Sequence, residues 1–254
     1  MTDRLDGTVA LVTGASSGIG EATALDLAQH GAAVALVARR RDRLEALASR
    51  IGDAGGRALV LEADVADEAA VQAAVAATVD ELGRLDTVVA NAGVMLLGPI
   101  EAAPTDEWRR MVELNVLGLM YTAQAALPHL VEAAAQEPRR VADLVLISSV
   151  AGRVARAGSA VYNASKHAVG AFGEALRQEV TARHVRVSLI EPGAVITELP
   201  DHNRPESLEA LNKRFEGMER LEAIDIAETI SFVVTRTRRT AINEVLIRPT
   251  EQVG

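Results

Sequence analysis

The chain has 254 residues and a net charge of -9, from 35 acidic against 26 basic side chains. That balance argues against nucleic acid as a partner, because phosphate binding needs a basic face, and the arginines at 39–41 and 236–239 form only short, separated runs. Cysteine is absent, which removes disulfides, thiolate metal sites and cysteine nucleophiles.

Residues 1–7 are polar and lack the apolar centre of a signal segment, so a cytoplasmic protein is expected. No apolar run reaches the length of a membrane span, and no membrane partner is expected. A short β-branched run predicts a first strand at 9–13, and an amphipathic stretch at 20–30 predicts the first helix. The same reading places strands at 33–37, 58–62, 87–90, 141–148, 185–190 and 244–247. Between them, helices are predicted at 43–51, 68–82, 106–134, 160–183 and 225–235. Strand and helix alternating to the end of the chain predict an α/β fold, a parallel sheet covered on both faces. The interior must be built from small aliphatic residues, since three Phe, two Tyr and one Trp are all the aromatics present. Length alone permits one large domain or two small ones. No linker or repeat interrupts the pattern, so one domain over 1–254 is expected. Residues 193–212, broken by Pro200, Asp201, Asn203 and Pro205, read as a long loop, either a lid over a ligand crevice or a plain surface loop.

The first strand runs into Thr13-Gly14-Ala15-Ser16-Ser17-Gly18-Ile19-Gly20. Glycines there let backbone approach a pyrophosphate, and a helix start supplies free N–H groups and the positive end of its dipole. A simple glycine-rich turn is the other reading. After the second strand, where an NAD site offers an acid to the ribose, stand Arg39 and Arg40. Guanidinium in that place favours a 2'-phosphate and hence NADP(H), with Arg39 the first choice and Arg40 the second. A solvated charge run starting a helix would look the same.

Tyr162-Asn163-Ala164-Ser165-Lys166 sets a phenol and an ammonium four residues apart, on one face of a helix. Only two Lys occur among the 26 basic residues, so finding one here is informative. A phenol with pKa near ~10 moves protons at neutral pH only if a nearby cation stabilises its anion. The competing reading is a surface tyrosine beside a helix-face lysine.

Taken together, the glycine cradle, Asn91-Ala92-Gly93, Asn115, Ser148-Ser149, the Tyr162 to Lys166 motif and Pro192-Gly193 resemble the short-chain dehydrogenase/reductases over nearly the whole chain. The resemblance implies a Rossmann fold with a seven-stranded parallel sheet. It also implies a catalytic tetrad of Asn115, Ser149, Tyr162 and Lys166, with Ser149 taken over Ser148 because it lies thirteen residues before Tyr162. Asn115 would hold a water that continues the proton path. The same carry-over puts Gly14, Ser16, Ser17, Gly18, Ile19 and Gly20 at the pyrophosphate, Asp64 and Val65 at the adenine, and Asn91, Ala92 and Gly93 beside the ribose. Pro192, Gly193, Val195 and Thr197 would sit at the nicotinamide, and Tyr162 and Lys166 would also touch the cofactor. One departure is Ala90 where the family pairs a second asparagine with Asn91. The two long helices at 106–134 and 160–183 resemble those through which the family pairs subunits, implying a homotetramer or a dimer.

Specificity is expected from Met95, Ser149, Arg153, Arg156 and His202, which flank the motifs. The two arginines could meet a substrate carboxylate or serve as surface or interface charges, and His202 could be an ordinary loop residue. The five histidines show no paired spacing, so no metal is expected. Residues 91–99, 118–121 and 247–250 resemble a branch that reduces carboxylate-bearing aldehydes to primary alcohols with NADPH in secondary metabolism. A 3-hydroxy acid dehydrogenase using the same residues, or an NADP-binding regulatory protein without turnover, are the alternatives.

Overall fold

The computed structural model describes residues 4–253, leaving 1–3 of the polar opening stretch and residue 254 outside. Seven strands form one parallel sheet: β1 (Val9–Thr13), β2 (Ala33–Ala38), β3 (Ala58–Glu62), β4 (Thr87–Ala90), β5 (Ala142–Ile147), β6 (Val185–Pro192) and β7 (Glu244–Ile247). Their spatial order is β3-β2-β1-β4-β5-β6-β7. The inner strands are buried and mostly apolar on both faces because helices cover both. On β1, Val9 and Leu11 face one core while Ala10 and Val12 face the other, the period of two that a strand imposes.

The first core lies under α3 (Glu68–Leu82), α5 (Leu119–Ala134) and α6 (Ala160–Val180), with Val75, Leu130 and Val169 among its buried residues. Opposite, α1 (Gly18–Gln29), α2 (Arg41–Asp53) and α8 (Ala223–Val234) contribute Leu27, Leu47 and Ile230. The α3 helix begins where Asp67 accepts backbone bonds from Ala69 and Ala70, and it stops at Gly83 in the left-handed region. Two remaining helices are α4 (Thr105–Val112) and α7 (Pro205–Arg214). Among the described residues no helix is long and apolar enough to cross a membrane.

Two expectations are corrected. The single helix expected at 106–134 is α4, a π-helical turn over Glu113–Gly118, and α5. The stretch at 193–212 contains a 3-10 turn (Leu199–His202) and most of α7, so it is not an irregular loop. Pro205, read as a breaker, occupies the first helical position, where its missing N–H costs nothing and its φ suits the turn.

Candidate active site

Strand order reverses between β1 and β4, which both leave a crevice beyond their C-terminal ends. There a cavity of about 390 Å³ is lined by the β1–α1 loop, the ends of β2 to β6, and the segment running from Pro192 into α7. Gly14 and Gly18 hold φ of +68° and +56°, and a Cβ on Gly20 would stand 2.3 Å from the Gly14 carbonyl oxygen. These positions therefore demand glycine. The Thr13 hydroxyl accepts from the backbone N–H of Asn91 at 3.0 Å and of Ala92 at 3.1 Å, and the Asn91 amide donates to the Thr13 carbonyl at 2.9 Å. The cradle and the β4 end are thus tied together across the switch point.

The two arginines have different surroundings. Arg39 is 60% exposed and pairs with Asp64 at 3.6 Å. Arg40 instead folds over the cradle, donating to the hydroxyls of Ser16 at 3.1 Å and Ser17 at 2.7 Å. Its third arm meets Glu198 at 2.9 Å, and Arg43 holds the other oxygen of that carboxylate at 2.6 Å. Those two guanidiniums, Arg43 first, bring Glu198 down to about 2. Sequence reasoning missed Glu198, although it directly follows Thr197.

On the other side of the cavity, α6 carries Tyr162 and Lys166 on one buried face. Lys166 Nζ donates to the Ile147 carbonyl at 2.9 Å and lies 6.0 Å from the Tyr162 ring centroid. Burial lowers its pKa to about 8. Burial raises the Tyr162 phenol above its ordinary value, and a hydrogen bond with Ser149 opposes that rise. Ser149 itself starts a 3-10 turn, its hydroxyl accepting from Ala151 N–H at 3.1 Å. Ser148 lies nearby but turns its hydroxyl to the Lys166 carbonyl at 3.2 Å.

Asn115 sits in the π-helical turn, where one extra residue per turn re-aims the chain. Its oxygen accepts from Val94 N–H at 2.8 Å, and its amide donates to the Val94 carbonyl at 2.8 Å and to Ser165 at 3.2 Å. The side chain thus ties the π-helical turn to the backbone of Val94 and to Ser165 on α6. Beside it, the Asn163 amide donates to the carbonyls of Ala151 at 2.8 Å and Val154 at 3.1 Å, while its oxygen accepts from Arg156 N–H at 3.1 Å. Asn163 therefore fixes the loop after Ser149 to α6. Only its place inside the Tyr162 to Lys166 motif signalled it.

The remaining wall is a fold-over of the segment after β6. Asn203 donates to the carbonyls of Met95 and Pro200, both at 2.9 Å, and accepts from Leu97 N–H at 2.7 Å. Ser207 adds a bond to the Leu97 carbonyl at 2.8 Å. Gln252, close to the chain end, accepts from Ala194 N–H at 2.9 Å and holds the bend that carries Gly193, Val195 and Thr197 along the cavity. Val65, Pro192 and His202 also line it, as do Ile19 and Met95. Arg153 does not: it pairs with Glu191 at 2.8 Å and with Glu244. Its expected role at the substrate is therefore corrected, whereas Arg156 does line the cavity, joined by Arg214 and Arg220.

A glycine cradle at a strand-order reversal, facing a buried Tyr-Lys pair and a serine hydroxyl, defines a doubly wound oxidoreductase with a dinucleotide groove. The model of the short chain dehydrogenase family matches residues 8–207. An uncharacterized oxidoreductase of Mycobacterium tuberculosis is 42% identical over 246 residues, covering 97% of this chain and 92% of the relative. Among solved structures, the closed form of serine dehydrogenase complexed with NADP+ has a TM-score of 0.88 at 31% identity, covering 97% of each chain. The 3-ketoacyl-(acyl-carrier-protein) reductase from Brucella melitensis, complexed with NADH, has a TM-score of 0.86 at 30% identity, covering 98% of this chain and 100% of that one. The chain belongs to the short-chain dehydrogenase family.

Proposed function

We propose that this enzyme reduces a carbonyl compound with NADPH, Tyr162 acting as the general acid. The observation that carries the proposal is the buried phenol beside Ser149 and Lys166, opening on the same cavity as the glycine cradle. The cradle fits a dinucleotide, because a Cβ at Gly14, Gly18 or Gly20 would crowd the space or strain the backbone. Arg40, with Ser16 and Ser17, supplies donors for a 2'-phosphate, and Arg39 adds a second cation at the rim. Asp64 and Val65 flank the adenine end, and Asn91 to Gly93 the ribose. When bound, NADP(H) supplies or accepts the hydride.

The chain's own residues handle the proton. Burial keeps Tyr162 protonated at neutral pH, the state that donates to a carbonyl oxygen. Ser149 positions that oxygen by hydrogen bonding, and the Lys166 ammonium stabilises the phenolate left behind. Asn115 fixes the Val94 backbone beside the tyrosine and, as the fourth member of the tetrad, holds a water that continues the proton path from Lys166. Within this chemistry the preferred substrate is a carboxylate-bearing aldehyde. Residues 91–99, 118–121 and 247–250 resemble clavulanic acid dehydrogenase, the NADPH-dependent reductase of clavulanate-9-aldehyde. The segment from Pro192 into α7 is the substrate lid in this reading. A 3-hydroxy acid dehydrogenase is favoured instead by the likeness to serine dehydrogenase, whose substrate is a 3-hydroxy acid. The reading extends to a homotetramer or dimer, supported by the exposed Val112, Leu117 and Phe232 on helix faces.

NADPH consumption with a panel of aldehydes, ketones and hydroxy acids tests the proposal. Tyr162→Phe should lose turnover by about 10²-fold or more while still binding NADPH. Tight NADPH binding by the native enzyme with no turnover on any substrate would point to a regulatory protein. Arg40→Ala should raise the Kd for NADPH about tenfold or more and leave NADH nearly unchanged, and Arg39→Ala should do less. Equal losses for both cofactors would remove the 2'-phosphate from Arg40.

A further inference from the structure

Acidic side chains outnumber basic ones here, and many arginines have found carboxylates. Arg40 meets Glu198, Arg153 meets Glu191, Arg186 meets Asp143 and Arg204 meets Glu107. Three arginines on the cavity wall break that habit. Among the described residues, Arg156, Arg214 and Arg220 make no ion pair and no side-chain hydrogen bond, and the one contact of that kind is Arg214 over the Phe215 ring at 5.3 Å. Arg156 and Arg220 are half-buried and Arg214 is exposed, so each keeps a solvated guanidinium whose donors are free to meet an anion entering the cavity.

The three come from different elements. Arg156 lies in the loop that Asn163 fixes after Ser149. Arg214 ends α7. Arg220 precedes Leu221, which bridges to Val195 through Ile196 N–H at 2.8 Å and the Ala194 carbonyl at 3.0 Å. Arg156 and Arg214 are near enough that the charge of the first, after desolvation, lowers the pKa of the second. A guanidinium stays charged in proteins. The same cavity lining includes the apolar side chains of Leu97, Val154, Leu211 and Phe215 as well as Tyr162. Like charges gathered in a cleft focus a positive potential on whatever enters.

We infer that Arg156, Arg214 and Arg220 form an anion receptor. It makes the substrate a carbonyl compound with an apolar body and a terminal anion, carboxylate or phosphate, at the end remote from the reacting carbon. The inference rests on the carbonyl-reductase reading and deepens it: Arg156 reaches the anion from the fixed wall and Arg214 from the lid helix. An anionic substrate thereby recruits the lid, and a neutral analogue does not.

The test compares 4-carboxybenzaldehyde, 4-formylphenyl phosphate and the neutral methyl 4-formylbenzoate, all with saturating NADPH. The native enzyme should prefer one of the anions over the ester in kcat/KM by about tenfold or more, the size of one charge-assisted hydrogen bond. Which anion leads separates carboxylate from phosphate. Arg156→Gln and Arg214→Gln should each lower that preference several-fold, kcat/KM falling more for the anion than for the ester and the KM for NADPH changing less than either, and Arg214→Lys should keep part of it. Equal turnover of ester and anions, or arginine variants that weaken NADPH instead, would overturn the receptor while leaving the reductase standing. Binding of terephthalate and of 4-carboxyphenyl phosphate to the NADPH complex gives a readout independent of turnover. Loss of that binding in Arg214→Gln, with no aldehyde reduced, would keep the receptor and sink the reductase; retained binding in both arginine variants would sink the receptor.

Discussion

At the scale of single residues, the site works through what burial does to two ionisable groups. The Tyr162 phenol is pushed up and the Lys166 ammonium is pushed down to about 8, both because charge is disfavoured away from water. In reduction the phenol gives up its proton and needs the ammonium beside it. As pH rises through about 8 the ammonium is lost, so kcat/KM for reduction should fall there. Stability should move the other way. The folded pKa of Lys166 lies below its ordinary 10.5, so the unfolded chain binds more protons between about 8 and that value, and stability rises with pH across the window. Above about 10 the raised Tyr162 opposes this, because the unfolded phenol ionises first. Parallel kcat/KM and urea-denaturation profiles check both signs. A flat rate across pH 8 would remove Lys166 from the proton chemistry.

Among the elements, the lid shows most clearly what bonds can do that composition does not announce. Asn203 makes two hydrogen bonds to the backbone of Met95 and Leu97 and a third back to Pro200 in the 3-10 turn. Asn203→Ala should leave those backbone groups without this partner and loosen the lid. The KM for the carbonyl substrate should rise about tenfold, and limited proteolysis within 199–214 should quicken, with NADPH affinity changed less. An unchanged KM would show that the lid closes without this latch. The same region explains where sequence reasoning ran out. Seven strands were legible because buried parallel strands must be short aliphatic runs. Helix α7 was not, since Pro200 and Pro205 punctuate a stretch that the chain folds as a 3-10 turn and a proline-started helix. Nor was the π-helical turn, because an apolar period of 3.6 continues on either side of it. Tyr162 and Lys166 could be found from spacing. Arg40 being held over the cradle by Glu198, and Arg153 being bound by two glutamates, depend on long-range partners at 191, 198 and 244 that no local pattern displays.

Across the whole molecule, the sheet separates its duties by end. The C-terminal ends of the strands open on the cavity, while the opposite end is pinned by buried charge. Arg186 donates to both oxygens of Asp143 at 2.7 and 2.9 Å and also to the carbonyls of Val234 at the end of α8 and of Arg236, Thr237 and Thr240 beyond it. Arg139 approaches the same carboxylate at 3.0 Å. One guanidinium thus joins β5, β6 and the turn leading toward β7, where it is nearly inaccessible to water. Replacing it leaves Asp143 short of its bidentate partner and takes one donor from each of those carbonyls. Arg186→Met should therefore cost about 3–5 kcal/mol of stability, the range for breaking a buried pair from one side. None of these groups lines the cavity, so KM for NADPH and for the carbonyl substrate should stay near the native values below the melting transition. Urea denaturation and steady-state kinetics on the same preparation test both halves. A stable variant would show that Arg139 alone neutralises Asp143, whereas a folded variant with altered KM would mean that the two ends of the sheet are mechanically coupled.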